Sequence, residues 1–269
     1  MEIVPLTEGE KSGAEALREG TRLAHLVGSF GEAPSRGRYA WVGLRDHSLA
    51  AGEAPELLAD VYAAAGAPWV EEGRLTHIVE VAMEGPLPQL FFALGFGQEQ
   101  VHATARVRVE EPSAPEGATI RRAGPDDLEL LLDVAGMIGE HQVGPPVWSG
   151  LPPPEREAMR GDWAEFLKDE TAVILVAERD GSAVGYAAIH PGEDAAVAHL
   201  PVAGTRPDVR GAGIGVALAE HALHQAHLAG FESVALDWRS TNLLASRFWP
   251  RRGFRPTHLR LRRDVRPTA

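Results

Sequence analysis

Thr205-Arg206-Pro207-Asp208-Val209-Arg210-Gly211-Ala212-Gly213-Ile214-Gly215 stands between two segments of different period. Before it, 195–205 reads as a strand. After it, Ile214, Leu218, Ala222 and Ala226 recur every four positions, the spacing of a buried helix face, so 213–229 reads as a helix. A glycine-rich passage from strand to helix leaves the first helical N–H groups without partners, and the helix dipole adds positive potential there. Glycines also let a ligand approach the backbone without a Cβ in the way. The stretch therefore predicts either a cradle for a diphosphate or a plain surface turn before an ordinary helix.

The surrounding segments give the order of the second half. A short strand at 118–122 leads to a helix opened by Pro125-Asp126-Asp127 and running to about Ile138. A proline-rich loop over 144–154 and a helix over 155–167 follow. The β-branched run 171–178 turns at Asp180-Gly181 into 183–190, a hairpin. Past the glycine turn come a strand at 232–238, a helix at 241–252 and a last strand at 254–265. This mixed α/β order argues against a dinucleotide-binding Rossmann domain. There, the third glycine of G-x-G-x-x-G would fall on Val216, the polar segment 206–210 separates strand from glycine, and the hairpin is foreign to a doubly wound sheet.

Arg210, Gly213 and Gly215 set out as R-x-x-G-x-G, and Asn242, Ala245, Phe248, Trp249, Gly253 and Phe254 set out as Asn-x-x-Ala-x-x-Phe-Trp-x-x-x-Gly-Phe, resemble two motifs of the GNAT superfamily of N-acetyltransferases. The resemblance covers about 150 residues, from Ala118 to the end, and Asn242 is the only asparagine of the chain. It implies an acyl-CoA cosubstrate, acetyl-CoA or a relative, and direct transfer of the acyl group to an amine of a small molecule or peptide, with no metal. By that likeness the strand ending at Thr205 diverges from the one ending near Trp238, opening a slot for the pantetheine arm. Thr205 would pair with pantetheine amides, Arg210, Gly211, Ala212, Gly213, Ile214 and Gly215 would hold the pyrophosphate, and Asn242 and Ser246 would contact the cofactor, a helix N-cap residue being the other reading of Asn242. Pro201, inside the first of these strands, lacks the ladder donor and is tolerated at bulges and edges, a plain strand end being the other reading.

The sequence departs from the family where many members carry a tyrosine that protonates the leaving thiolate. Trp249 stands there, and an indole N–H cannot deliver a proton near neutral pH, so Trp249 reads as core. A thiol of pKa about 8.5 can leave without such an acid. An amine, however, must lose a proton before it attacks, and His199 and Asp237 are the candidate bases. Each has a structural reading beside the catalytic one: His199 as a hydrogen-bonded core residue, Asp237 as a partner of Arg239. Glu140, His141, Glu193 and Asp194 are expected on loops bordering the acceptor site. A non-catalytic acyl-CoA-binding or regulatory protein of the same fold is the alternative.

The first half repeats the end of the second. A shift of 158 places Gly95-Phe96 on Gly253-Phe254, Phe91 on Trp249, Glu84 on Asn242 and the strand 75–83 on 233–241. Between its strand 38–44 and helix 55–65 there is no R-x-x-G-x-G. The expectation is two GNAT-like domains, a degenerate one at 1–112 and the acyl-CoA-binding one at 117–269, each a mixed, mostly antiparallel sheet flanked by helices. The turn-forming stretch 110–117 reads as the linker.

Composition sets outer bounds. With 269 residues, no cysteine and a net charge of −12, disulfides, thiolate metal sites and a cysteine nucleophile are excluded. A generic nucleic-acid binder, which shows a basic face, is disfavoured. No apolar run suggests a membrane span or secretory signal, so the expected compartment is the cytoplasm, with the chain a monomer or homodimer. The arginines at 251, 252, 255, 260, 262, 263 and 266 read as a solvated basic face, Arg247 or Arg251 being the alternative contacts for a CoA 3′-phosphate.

Overall fold

The structure is a computed structural model that describes residues 1–150 and 152–266. Leu151 of the proline-rich loop and 267–269, assigned above to the second domain, lie outside the described residues. The chain forms two compact units. One comprises Met1–Val101 and the chain from Pro256 onward, the other His102–Arg255.

In the first unit β1 (Glu2–Glu8), β2 (Lys11–Arg18), β3 (Thr21–Ala33) and β4 (Gly37–Val42) follow as an antiparallel meander, with the short β5 (His47–Leu49) also on β3. Helix α1 (Glu56–Glu71) buries Leu57, Leu58, Val61, Tyr62 and Trp69 against β2 and β3. The strand β6 (Thr76–Ala82) is parallel to β4, and the short helix α2 (Leu87–Ala93) leads to β7 (Gly97–Arg106), which the division between units crosses at Val101. The strands before residue 37 had no counterpart in the sequence reading.

In the second unit β8 (Thr119–Arg122) leads through a single 3-10 turn into α3 (Leu128–Ala135), α4 (Met137–Val143) and α5 (Arg156–Phe166). The hairpin β9 (Val173–Arg179) and β10 (Ser182–Pro191) turns at Asp180 and Gly181, both at positive φ, as a tight two-residue turn requires. Next come β11 (Val197–Thr205), α6 (Ile214–Leu228), β12 (Ser233–Arg239) and α7 (Leu243–Phe248). The sheet order is β12-β11-β10-β9-β8, mixed and mostly antiparallel, with Leu131, Val134, Ile174, Val176, Tyr186 and Ala188 forming a core under α3.

Three expectations need correction. The helix expected to end near Ile138 breaks at Gly136 and resumes to Val143, so Glu140 and His141 sit on α4 rather than on a loop. The expected division at 112/117 does not follow the compact units, because the last strand, β13 (Arg255–Asp264), pairs antiparallel with β6 and belongs from Pro256 onward to the first unit. The basic final stretch is solvated only in part: Arg251, Arg255 and Arg266 are exposed, but Arg260 is buried with Leu259 and Leu261, and its guanidinium donates to Glu99 at 2.6 Å. The linker is also no free tether. Arg108 N–H donates to the carbonyl of Leu223, and Pro115 lies against Gly213, so the connection runs along α6 to its first residue.

The 158-residue repeat is visible in the structure. Strand β7 maps onto β13, and α2 onto α7 with its following 3-10 turn. Phe91 packs edge-on against Phe96 at 5.2 Å, as Trp249 does against Phe254 at 5.2 Å. The same backbone bonds close each turn, Phe96 N–H to Phe91 and Phe254 N–H to Trp249, with Gly95 and Gly253 both at positive φ.

Candidate functional site

The site is built around the end of β11. Its ladder with β10 pairs Ala188 with Val202 and His190 with His199, so Leu200 and Pro201 together face the single residue Ile189. Pro201 has no N–H to give a neighbour, and a bulge at that point bends the strand. On its other edge β11 pairs with β12 only at Val197, Ala198 and His199, and the parallel ladder stops just before the bulge. Both strands continue, to Thr205 and Arg239, without further pairing to each other. The divergence expected of this pair is therefore present, and its cause is local.

The unpaired stretch of β11 presents backbone groups to the gap. Arg206 N–H donates to Val184 of β10 at 2.8 Å. Alternation along an antiparallel strand then turns the N–H and C=O of Thr205 and Ala203 to the opposite edge. Gly204 allows α4 to lie close over this strand; a Cβ there would meet Met137 at 3.0 Å.

The glycine turn follows. Arg206 pairs with Asp208 at 2.7 Å, and a short 3-10 turn over Pro207–Val209 is closed by long bonds, Arg210 N–H to Pro207 at 3.4 Å and Ala212 N–H to Val209 at 3.3 Å. Gly211 and Gly213 adopt φ of +86° and +82°, which L side chains rarely adopt, and this explains both glycines. Among the described residues no acceptor takes the N–H groups of Gly211, Gly213, Ile214, Gly215 and Val216. Five donors therefore lie together where the 15-residue helix α6 begins. Of the six residues expected to form the cradle, Gly211, Gly213, Ile214 and Gly215 offer open amides. The amides of Arg210 and Ala212 are already bonded, which leaves Arg210 its exposed guanidinium.

Asn242 caps α7: its Oδ1 accepts from Ala245 N–H at 3.2 Å and lies 3.3 Å from Nε2 of His141. Thr241 donates to the Val147 carbonyl at 3.0 Å, so the proline-rich loop is docked beside this turn. Ser246 donates to Leu243 of its own helix, and Asp194 closes the β10–β11 turn by accepting from Ala196 N–H, while Glu193 is exposed. Trp249 is buried against Phe248 and Phe254, the core position read from the sequence.

The candidate bases share one face of the sheet. His199 is in register with His190 on one side and Ala235 on the other, and Asp237 stands two residues beyond Ala235, on the same face. Burial lowers the basicity of His199, the nearby His190 lowers it further, and Asp237 opposes both. No sequence signal singled out His190.

The first unit lacks this arrangement. Strands β4 and β6 stay paired from Tyr39–Thr76 to Val42–Val79, the end of β4. The first amides of α1 are taken internally, Leu57 N–H by Ala54 and Leu58 N–H by Pro55. Its slot is closed and its helix start is occupied.

Residues 140–254, which include the turn, the slot strands and the α7 motif, match the sequence profile of the acetyltransferase (GNAT) family. This stretch is a GNAT-family domain. The fold of the whole chain agrees with solved GNAT structures. It resembles a GCN5-related N-acetyltransferase from Sphaerobacter thermophilus, with TM-score 0.65 and 18% identity over 97% of this chain and 82% of that one. It also resembles a tandem GNAT protein from the clavulanic acid biosynthesis pathway, with TM-score 0.55 and 14% identity over 96% and 84%. A GNAT-family acetyltransferase from Colwellia psychrerythraea gives TM-score 0.58 and 10% identity over 95% and 86%. At these identities the likeness fixes the fold. No curated protein sequence matches the chain. No helix among the described residues is long and apolar enough to cross a membrane.

Proposed function

We propose that the second unit is an amine N-acyltransferase that takes its acyl group from acetyl-CoA or a related acyl-CoA. The observation that carries this reading is the coincidence of five open amides at the start of α6 with the unpaired edge of β11 that leads into them. A diphosphate matches the amides in charge and donor geometry, and an extended chain bearing amides matches the strand edge. The acyl-CoA would supply the thioester and its thiol leaving group. Gly211, Gly213, Ile214 and Gly215 would hold the pyrophosphate, with Arg210 beside it. Thr205 and Ala203 would pair with the pantetheine arm from the backbone.

His199, with Asp237 beside it, would take the proton from the acceptor ammonium, and water would protonate the departing thiolate in place of a side-chain acid. The net negative charge favours a cationic acceptor, an amine of a small molecule or peptide, by raising its local concentration. The first unit would serve packing, and the protein would work in the cytoplasm as a monomer or homodimer.

Calorimetry with CoA and thiol release from acetyl-CoA across a panel of primary amines test the reading. Binding with amine-dependent thiol release is expected. Binding without release would favour a non-catalytic acyl-CoA-binding protein, the reading that the buried Trp249 supports, and absence of CoA binding would refute both.

A further inference from the structure

We propose that His190 is a positioning residue that holds the His199 ring with its proton on Nδ1, so that the bare Nε2 faces an incoming amine. This rests on the reading of the second unit as an N-acyltransferase. It follows from two contacts. Nδ1 of His190 lies 2.7 Å from the Pro191 carbonyl oxygen. A carbonyl only accepts, so that nitrogen carries the hydrogen, and in a neutral imidazole the other nitrogen then holds a lone pair. That other nitrogen, Nε2 of His190, faces Nδ1 of His199 at 3.4 Å, with the rings nearly perpendicular at 78°. Two lone pairs would repel, so the hydrogen between the rings belongs to His199. Its Nε2 is left as the acceptor.

The opposite form, with the proton on Nε2, is the one an unconstrained imidazole prefers in water. The β10–β11 register therefore selects the less common tautomer. Because the bulge falls between His199 and Val202, the two histidines stand in direct cross-strand register. The distance is long for a resting hydrogen bond, and such bonds tighten when substrate binds.

The groups facing His199 are His190 from β10 and Asp237 from β12, and Asp169, in the loop before β9, interacts electrostatically with His190. In the transfer, Nε2 takes a proton from the acceptor ammonium, and the freed nitrogen lone pair forms the N–C bond. The C–S bond breaks with its electron pair going to sulfur, the second proton that the acylated nitrogen sheds goes to the thiolate through water, and the proton on His199 is released to water. His199 is an imidazolium in between. Its Nδ1–H keeps donating to His190, and Asp237 offsets its charge.

The test separates this inference from the function it builds on. Two-bond proton–nitrogen correlation spectra of the nitrogen-15-labelled full chain report the His199 tautomer without any substrate. At pH 8 the wild type is expected to carry the proton on Nδ1. His190→Leu removes the acceptor and is expected to move it to Nε2. His190→Gln, whose amide oxygen can accept in the same place, is expected to restore Nδ1–H. In amine-dependent thiol release from acetyl-CoA, His190→Leu is expected to lower kcat at least ~10-fold, with KM for acetyl-CoA unchanged and an altered acidic limb of the pH profile. His190→Gln should recover most of the loss, since a positioned base contributes ~100-fold or more. A wild-type proton on Nε2, or a His190→Leu variant with unchanged tautomer and kcat, would overturn the inference. Failure of the wild type to bind CoA would instead overturn the proposed function, and calorimetry reads that without reference to either histidine.

Discussion

Ala212→Asp places a carboxylate at the rim of the cradle while leaving its geometry intact. Ala212 is exposed, precedes α6 by two residues and gives its own N–H to Val209, so the substitution removes no donor from the set of five. One chain step of about 3.8 Å plus the reach of the side chain puts the new charge ~6 Å from a diphosphate seated on Gly211 and Gly213. At a dielectric constant near 80 the repulsion by two negative charges is ~1.4 kcal/mol, a tenfold loss of affinity at low salt. At 0.15 M salt, where the screening length is about 8 Å, the loss shrinks to roughly threefold. Stability should move the other way, because an acid near a helix start is favourable by about 0.3–1 kcal/mol. Calorimetric titration with CoA at both salt concentrations, beside thermal unfolding of the free protein and an Ala212→Asn control, reads both signs. Equal CoA affinity of Ala212→Asp and wild type at low salt would refute the placement of the diphosphate. Gly213→Asp is also expected to weaken CoA binding by roughly tenfold or more, but a side chain at φ +82° is strained, and the loss would mix conformation with charge.

Asn242→Ala removes the cap of α7 and should cost about 1 kcal/mol in chemical denaturation, whereas Asn242→Asp keeps the accepting oxygen; if Asn242 also holds cofactor through its amide, both variants should weaken CoA binding equally. Arg260→Leu removes the shortest ion pair of Glu99 and leaves it Arg36 at 3.5 Å and Arg262 at 3.9 Å, so a shift of the urea midpoint equivalent to roughly 1–2 kcal/mol is expected, with no shift if the pair is only peripheral. His77 is buried with its Nδ1 accepting from Tyr62, and burial lowers its basicity. A lowered value means the unfolded chain takes up the proton first, so stability is full above about pH 6.5 and falls as pH drops below it. His77→Gln should flatten that slope between pH 7 and 5, measured by urea midpoints.

The parts of the fold carried by short-range pattern were legible in the sequence. The glycine turn and the four-residue period after it placed β11, the turn itself and α6 where the structure has them, because turn chemistry and helix amphipathicity act over a few residues. The repeat was legible because Phe91–Phe96 and Trp249–Phe254 set an aromatic pair at the same spacing around a glycine turn. Where reading failed, the deciding contact was distant. Nothing near Leu259 says that its strand pairs with β6, about 180 positions earlier. Gly136 carries no obvious breaking signal in an apolar run. His190 became visible only through register, which a one-residue bulge at Leu200-Pro201 shifts beyond what alternation alone can foresee. Asn242 had two readings, a cofactor contact from the motif and a helix N-cap residue, and the cap is the one that the contacts within the chain show.

The place of β13 in the first unit has a consequence for how the protein is made. Strand β6 leaves the ribosome about 180 residues before its partner β13. At about 5–20 residues per second the nascent chain carries an incomplete sheet for roughly ten to thirty-five seconds. For that interval the edge of β6, rich in isoleucine and valine, is a template for any other extended chain. Such a protein depends on protection during translation more than its finished stability would suggest, and ribosomes stalled before residue Arg255 should release a product that aggregates.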